Sequence, residues 1–153
     1  LEIELQLTAK AGFEEVAKAN GLGTNIVTAV REEVWRRLLT PEQYAIMRGH
    51  GTEPAGSCAL NHEKRPGAFL CVGCDQLLFR SEDKFESGTG WPSFFSPEPG
   101  SLGVKEDRGY GMVRTEVHCR QCGSHLGHVF PDGPPPTGLR YCINGLCLKF
   151  VAQ

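Results

Sequence analysis

The sequence predicts a mainly β fold, a small antiparallel sheet or barrel reached through N-terminal helices. Three observations carry that reading. Beyond Gly51 the apolar segments are short, often aromatic, and punctuated by Gly, Pro, Asn or Asp. Nineteen glycines and ten prolines in 153 residues demand many turns. Helical periodicity is confined to the part before Gly49.

The elements follow in chain order. Ala11–Ala19 has a weak helical pattern, and two glycines within Asn20–Asn25 break it. Ile26–Leu39 is a better helix, because Ile26, Val30, Val34 and Leu38 recur every four positions with charges between them. Thr40 reads as an N-cap, with Pro41 at the first helical position and Gln43 closing a capping box. This predicts a short helix, Pro41–Met47. Strands are expected at Ala68–Val72, Gln76–Arg80, Tyr110–Cys119, His128–Phe130 and Leu139–Phe150. Ser87–Gly103 is expected as a loop; its aromatics Trp91, Phe94 and Phe95 argue that it packs inward. We expect residues 1–25 to be an N-terminal extension or an appended segment, and 26–153 to be one domain.

Charge and hydropathy exclude some functions. The formal charge of −2 offers no basic excess for holding phosphates, so no nucleic-acid partner is expected. No apolar run nears the roughly 20 residues of a bilayer span, so no membrane partner is expected. Leu1–Leu7 alternates apolar with acidic or polar residues and does not read as a signal peptide.

The seven cysteines are an odd number and are clustered, which argues against a framework built only of disulfides. Four form two C-x-x-C pairs, Cys71/Cys74 and Cys119/Cys122. Such turns place two sulfurs on one side, and two turns complete a tetrahedron. Four soft thiolates favour one structural zinc ion with no open coordination position. Two disulfides, a redox dithiol or an iron ion are the alternatives. Gly73 and Gly123 are expected to ease the two turns. Thiolate sites point to a reducing compartment, and we expect a cytoplasmic protein.

The remaining cysteines are Cys58, Cys142 and Cys147. In a strand Arg140-Tyr141-Cys142-Ile143-Asn144, one face carries a guanidinium, a thiol and an amide. A nearby guanidinium favours the thiolate. His125 and His128, in His-Leu-Gly-His, have the chemistry of general acids or bases. A buried structural cysteine and structural histidines are the plainer alternatives.

These segments, with Ser87-Gly88-Thr89-Gly90-Trp91-Pro92-Ser93-Phe94, resemble the B-type methionine-R-sulfoxide reductases. Thr40–Tyr44 and Gly51–Pro54 match the same family, and the likeness spans about residues 40–150. It implies a zinc-bearing, β-barrel-like fold of two antiparallel sheets and reduction of R-methionine sulfoxide in oxidised proteins. Cys142 is implied as the nucleophile, passing through a sulfenic acid. His128, supported by His125, is implied to deliver the proton, Arg140 to favour the thiolate, and Asn144 to help hold substrate. Trp91 is implied as an apolar wall against the S-methyl group. Thr89 stands where the family is expected to carry a resolving cysteine. Cys58 is the candidate replacement, giving a Cys58–Cys142 disulfide reduced by thioredoxin or a similar thiol reductant. Cys147 would face the opposite side of a continuous strand and reads as core. Direct reduction of the sulfenic acid by an external thiol is the third route. Two readings of other classes stay open: a zinc-dependent binding module and a thiol peroxidase.

Overall fold

In a computed structural model of the protein, the structure describes residues 32–153. The helix expected at Ala11–Ala19 lies outside these residues, as does the first part of Ile26–Leu39. Residues 32–38 are helical (α1), and Pro41–Met47 forms α2 with both halves of the capping box in place. The Thr40 hydroxyl accepts from Gln43 N–H, and the Gln43 side chain accepts from Thr40 N–H. A cap of this kind contributes about 1 kcal/mol. Ile46 and Met47 are the buried residues of α2.

Among the described residues, nine strands form two antiparallel sheets. They are β1 (Gly67–Cys71), β2 (Leu77–Arg80), β3 (Lys84–Phe85), β4 (Ser93–Phe94), β5 (Leu102–Asp107), β6 (Arg114–Cys119), β7 (His125–Phe130), β8 (Arg140–Ile143) and β9 (Leu148–Ala152). The order is β2-β1-β9 in the small sheet and β3-β4-β8-β7-β6-β5 in the large one. Phe79 of the small sheet stacks on Phe94 of the large one at 4.1 Å, and Phe69 meets Phe94 edge-on at 5.1 Å. Such pairs add about 0.5–1.5 kcal/mol each beyond the area they bury. Leu126, Ile143, Leu78 and Met47 complete the apolar core.

The structure departs from the sequence reading at four places. The expected strand Leu139–Phe150 is two strands in different sheets, joined by a 3-10 turn, Gly145–Cys147. The break lies at Asn144, whose backbone N–H and Nδ2 both donate to Leu126 O at 2.9 Å. Cys147 therefore does not share a strand with Cys142, although it is fully buried as expected. The strand expected at Tyr110–Cys119 begins at Arg114, because Gly109–Gly111 turns with Tyr110 at φ 57°. The strand expected at His128–Phe130 starts earlier, at His125. The supposed loop Ser87–Gly103 contains β4 and the first residues of β5. The middle of β5 is exposed and lies at a sheet edge, so it lacks the alternation that marks a half-buried strand.

Candidate active site and metal cage

The large sheet carries the chemistry on neighbouring strands. Cys142 pairs with Ser93 of β4 on one side and with His128 of β7 on the other. Directly paired residues present their side chains on the same face, so Cys142 and His128 are immediate neighbours. Gly127 permits this approach: a β-carbon there would stand 2.0 Å from Cys142 O. Cys142, His128, Arg140, Asn144 and Trp91 line one pocket of about 230 Å³, with Thr52, Thr89, Arg114, Gly127 and Phe130. The pocket thus unites five of the residues singled out from the sequence.

Four of these five side chains are held by a specific partner. His128 Nε2 is 2.8 Å from Asp107 Oδ2, and Arg114 Nη2 donates to the same oxygen at 3.2 Å. These three residues sit on β5, β6 and β7, forming a lateral chain across the sheet. The hydrogen bond to His128 is the main cause that lowers the Asp107 carboxyl to a pKa of about 2. Arg140 grips Asp132 through Nε at 2.9 Å and Nη2 at 3.2 Å, and its guanidinium lies 4.5 Å from the Phe130 ring centroid. Trp91 is pinned by its Nε1–H to Glu53 O at 2.9 Å. Burial pushes the Cys142 thiol up, and the pull of Arg140 does not offset it. Arg140 thus pulls toward the thiolate, and burial outweighs it in the resting state.

Asn144 lines the pocket with its side chain already partnered. Its Oδ1 accepts from Glu53 N–H and its Nδ2 donates to Leu126 O, both at 2.9 Å, so the amide is occupied in holding the pocket together. His125 does not line the pocket. The pairing shifts between Val117/Gly127 and His118/His125, leaving Leu126 as an extra residue. This bulge turns His125 so that its ring meets His128 edge-on at 5.5 Å. His125 is 2% exposed, stands 3.5 Å from Glu116 and has neither ring nitrogen hydrogen-bonded. Burial above all lowers its pKa to about 4.

That shift has a measurable consequence. The folded state holds His125 neutral while the unfolded chain binds a proton below about pH 6.5. Stability should therefore fall from this source as pH drops below about 6.5, and the loss should level off below about 4. Denaturant titrations between pH 7 and 4 on the wild type and His125→Gln should show the variant with the flatter dependence.

Cys58 does not line the pocket either. It is half-buried at the start of the turn Ala59–His62, with its sulfur against the backbone of Gly145. Thr89, by contrast, reaches the pocket, and its Oγ1 is 2.8 Å from Ser87 Oγ. Sequence reasoning missed Asp107, Arg114 and Glu53. Asp107 lies at the end of an edge strand without apolar patterning, and only its pairing opposite Arg114 brings it to His128.

The two C-x-x-C turns converge. The four Sγ atoms of Cys71, Cys74, Cys119 and Cys122 lie within 4.8 Å of one another, positioned to hold a metal ion. Cys71 and Cys122 sulfurs are 3.7 Å apart, and those of Cys74 and Cys119 are 3.5 Å apart. Four sulfurs about 2.3 Å from a central ion in a tetrahedron would be about 3.8 Å apart. The donor set and spacing thus fit zinc. The two turns match in backbone: Asp75 N–H bonds Cys71 O and Gly123 N–H bonds Cys119 O, both at 2.8 Å. The residues with positive φ are Asp75 and Gly123. Gly73 serves a different purpose from the one expected, since a β-carbon there would stand 2.9 Å from the Trp35 ring.

The chain is similar to known proteins over most of its length. Residues 39–152 match the SelR domain family. The chain is 56% identical over 119 residues to a protein of Pseudomonas putida named peptide methionine sulfoxide reductase MsrB, covering 77% of this chain and 90% of that one. A protein of the same name from Agrobacterium fabrum is 55% identical over 117 residues, covering 76% and 87%. One from Leptospira interrogans is 52% identical over 123 residues, covering 80% and 94%. Among the described residues, no helix is long and apolar enough to cross a membrane.

Proposed function

We infer the chemistry of the pocket from one premise: the chain belongs to the B-type methionine-R-sulfoxide reductases, and is a methionine sulfoxide reductase. Its proposed substrate is R-methionine sulfoxide in oxidised proteins. The observation that carries the mechanism is the cross-strand pair of Cys142 and His128, with His128 anchored to Asp107.

The steps follow from that pair. A carboxylate accepting from Nε2–H leaves Nδ1 of neutral His128 as a base. It takes the proton of the Cys142 thiol, and Asp107 stabilises the imidazolium that results. The thiolate attacks the sulfoxide sulfur, while the imidazolium gives its proton to the sulfoxide oxygen. Oxygen and proton end on Cys142 as a sulfenic acid, and methionine leaves, its sulfur reduced by two electrons. Arg140, fixed by Asp132, lowers the cost of the thiolate during attack. Trp91 offers an apolar wall for the S-methyl group, so only one hand at sulfur puts the oxygen toward His128. Asn144 acts by holding the pocket, and His125 by backing the His128 ring.

Recycling is proposed to run through Cys58. A thiol there attacks the sulfenic acid, and thioredoxin or a similar reductant opens the disulfide. The sulfur must move to reach Cys142, and the segment Ala55–Ser57 before it is exposed. One structural zinc per chain is assigned to Cys71, Cys74, Cys119 and Cys122, and the cytoplasm is the proposed location.

A stereospecific assay tests this reading. With dithiothreitol, R-methionine sulfoxide in a peptide should be reduced and the S epimer left; equal use of both, or peroxide consumption without sulfoxide preference, would refute it. Asp107→Asn should lower kcat by about tenfold to a hundredfold, with KM little changed, because the imidazolium loses its counter-charge. Stopped-flow measurement of methionine release checks this.

A further inference from the structure

Glu53 has a buried carboxylate oxygen without a partner. The residue is 2% exposed; Oε1 accepts from Leu146 N–H at 2.8 Å, while Oε2 takes no hydrogen bond. A buried carboxyl oxygen without a hydrogen-bond partner is costly. Cys58 lies beside it. Glu53 Oε2 and Cys58 Sγ stand 3.4 and 2.4 Å from one point, the place a β-carbon on Gly145 would occupy. Their separation is therefore at most about 6 Å. Only a glycine at 145 admits both groups. Cys142 and Cys147 are the other thiols that feel the Glu53 charge.

Glu53 is also tied to the pocket. Its N–H donates to Asn144 Oδ1 and its carbonyl accepts from Trp91 Nε1, both at 2.9 Å. The neighbouring Thr52 lines the pocket itself. These contacts fix the Glu53 backbone against two residues that line the pocket.

We propose that Glu53 is the general base that takes the Cys58 thiol proton as Cys58 attacks the sulfenic acid on Cys142. This rests on the reading of Cys58 as the resolving thiol. In the step, the Cys58–Cys142 S–S bond forms and the S–O bond of the sulfenic acid breaks. The thiol proton passes to Oε2. The departing hydroxide takes a proton from solvent and leaves as water, and Glu53 returns its own to solvent. The Cys58 sulfur is oxidised and the Cys142 sulfur reduced, so no further oxidant is needed.

The test is the lifetime of the sulfenic acid after one equivalent of peptide R-methionine sulfoxide. Trapping with a 1,3-diketone reports the sulfenic acid, and peptide mapping reports the disulfide. Glu53→Gln keeps an acceptor for Leu146 N–H but has no basic oxygen. Its sulfenic acid should persist about a hundredfold longer than in the wild type. Its rate of disulfide formation should rise about tenfold per pH unit through neutrality, where the wild-type rate is flatter. Glu53→Asp, which retains a carboxylate, should give an intermediate rate with the wild-type pH profile. An unchanged lifetime in Glu53→Gln, or slow resolution with the wild-type pH profile, would overturn the proposal. Cys58→Ser separates the two readings. Continued disulfide formation on Cys142 in that variant removes Cys58 as the partner. Loss of the disulfide in Cys58→Ser, with normal resolution in Glu53→Gln, removes only the role of Glu53.

Discussion

Cys142→Ser should abolish turnover while leaving the fold and any bound metal in place. A serine hydroxyl is far less ionised than a thiol at neutral pH and a much poorer nucleophile toward sulfur. Burial already raises the Cys142 thiol, and an alcohol is several pH units harder still to ionise. A loss of at least about a thousandfold is expected, as for removal of other enzymic nucleophiles. The substitution exchanges sulfur for oxygen within β8, between β4 and β7, and disturbs no hydrogen bond of the ladder. Single-turnover methionine release, read beside circular dichroism and a metal count, gives the outcome. Near-wild-type release from the serine variant would end the proposed mechanism.

The ease of reading this site from sequence varied with the range of the interaction. Cys142, Arg140 and Asn144 are two residues apart, so strand geometry alone placed them on one side, and the pocket contains all three. The capping box at Thr40 and the two C-x-x-C turns are equally local, and they form as expected. Asp107 is 21 residues from His128, on an exposed edge strand, and no local pattern announces their hydrogen bond. His125 lies three residues from His128, where strict alternation would put it on the opposite face; the extra residue Leu126, which alternation cannot foresee, brings its ring against His128. The break at Asn144 escaped although Asn144-Gly145 is a turn dipeptide, because the apolar residues on both sides were joined into one strand where the chain leaves one sheet for the other. The Cys142 thiol shift depends on how deeply the sulfur is buried, which nearest neighbours in sequence do not encode.

Loss of a cage cysteine is expected to cost stability rather than chemistry. Cys71 closes β1 in the small sheet and Cys119 closes β6 in the large one, so the cage fastens the two sheets together. Four thiols this close cannot all ionise unaided: each charge repels the next, and the Cys71 and Cys119 thiols are held far above their ordinary range. A divalent ion removes that repulsion and makes metal binding part of folding. The cage is also remote from the pocket. Along β6, Cys119 is about 17 Å from Arg114 and about 10 Å from Glu116, the residue paired with His128, and no cage cysteine lines the pocket. Cys71→Ser should therefore lose the metal the cage holds and about 3 kcal/mol of stability, lowering Tm by about 6–12 °C in a chain of this size. Well below that Tm, the rate of methionine release should stay within about threefold of wild type, because a closed four-sulfur site offers no position to substrate. Zinc analysis, calorimetry and single-turnover kinetics on the same preparation decide the matter. A metal-free Cys71→Ser protein with unchanged Tm would remove zinc from the fold, and a specific collapse of the chemical step at low temperature would move it into the active site.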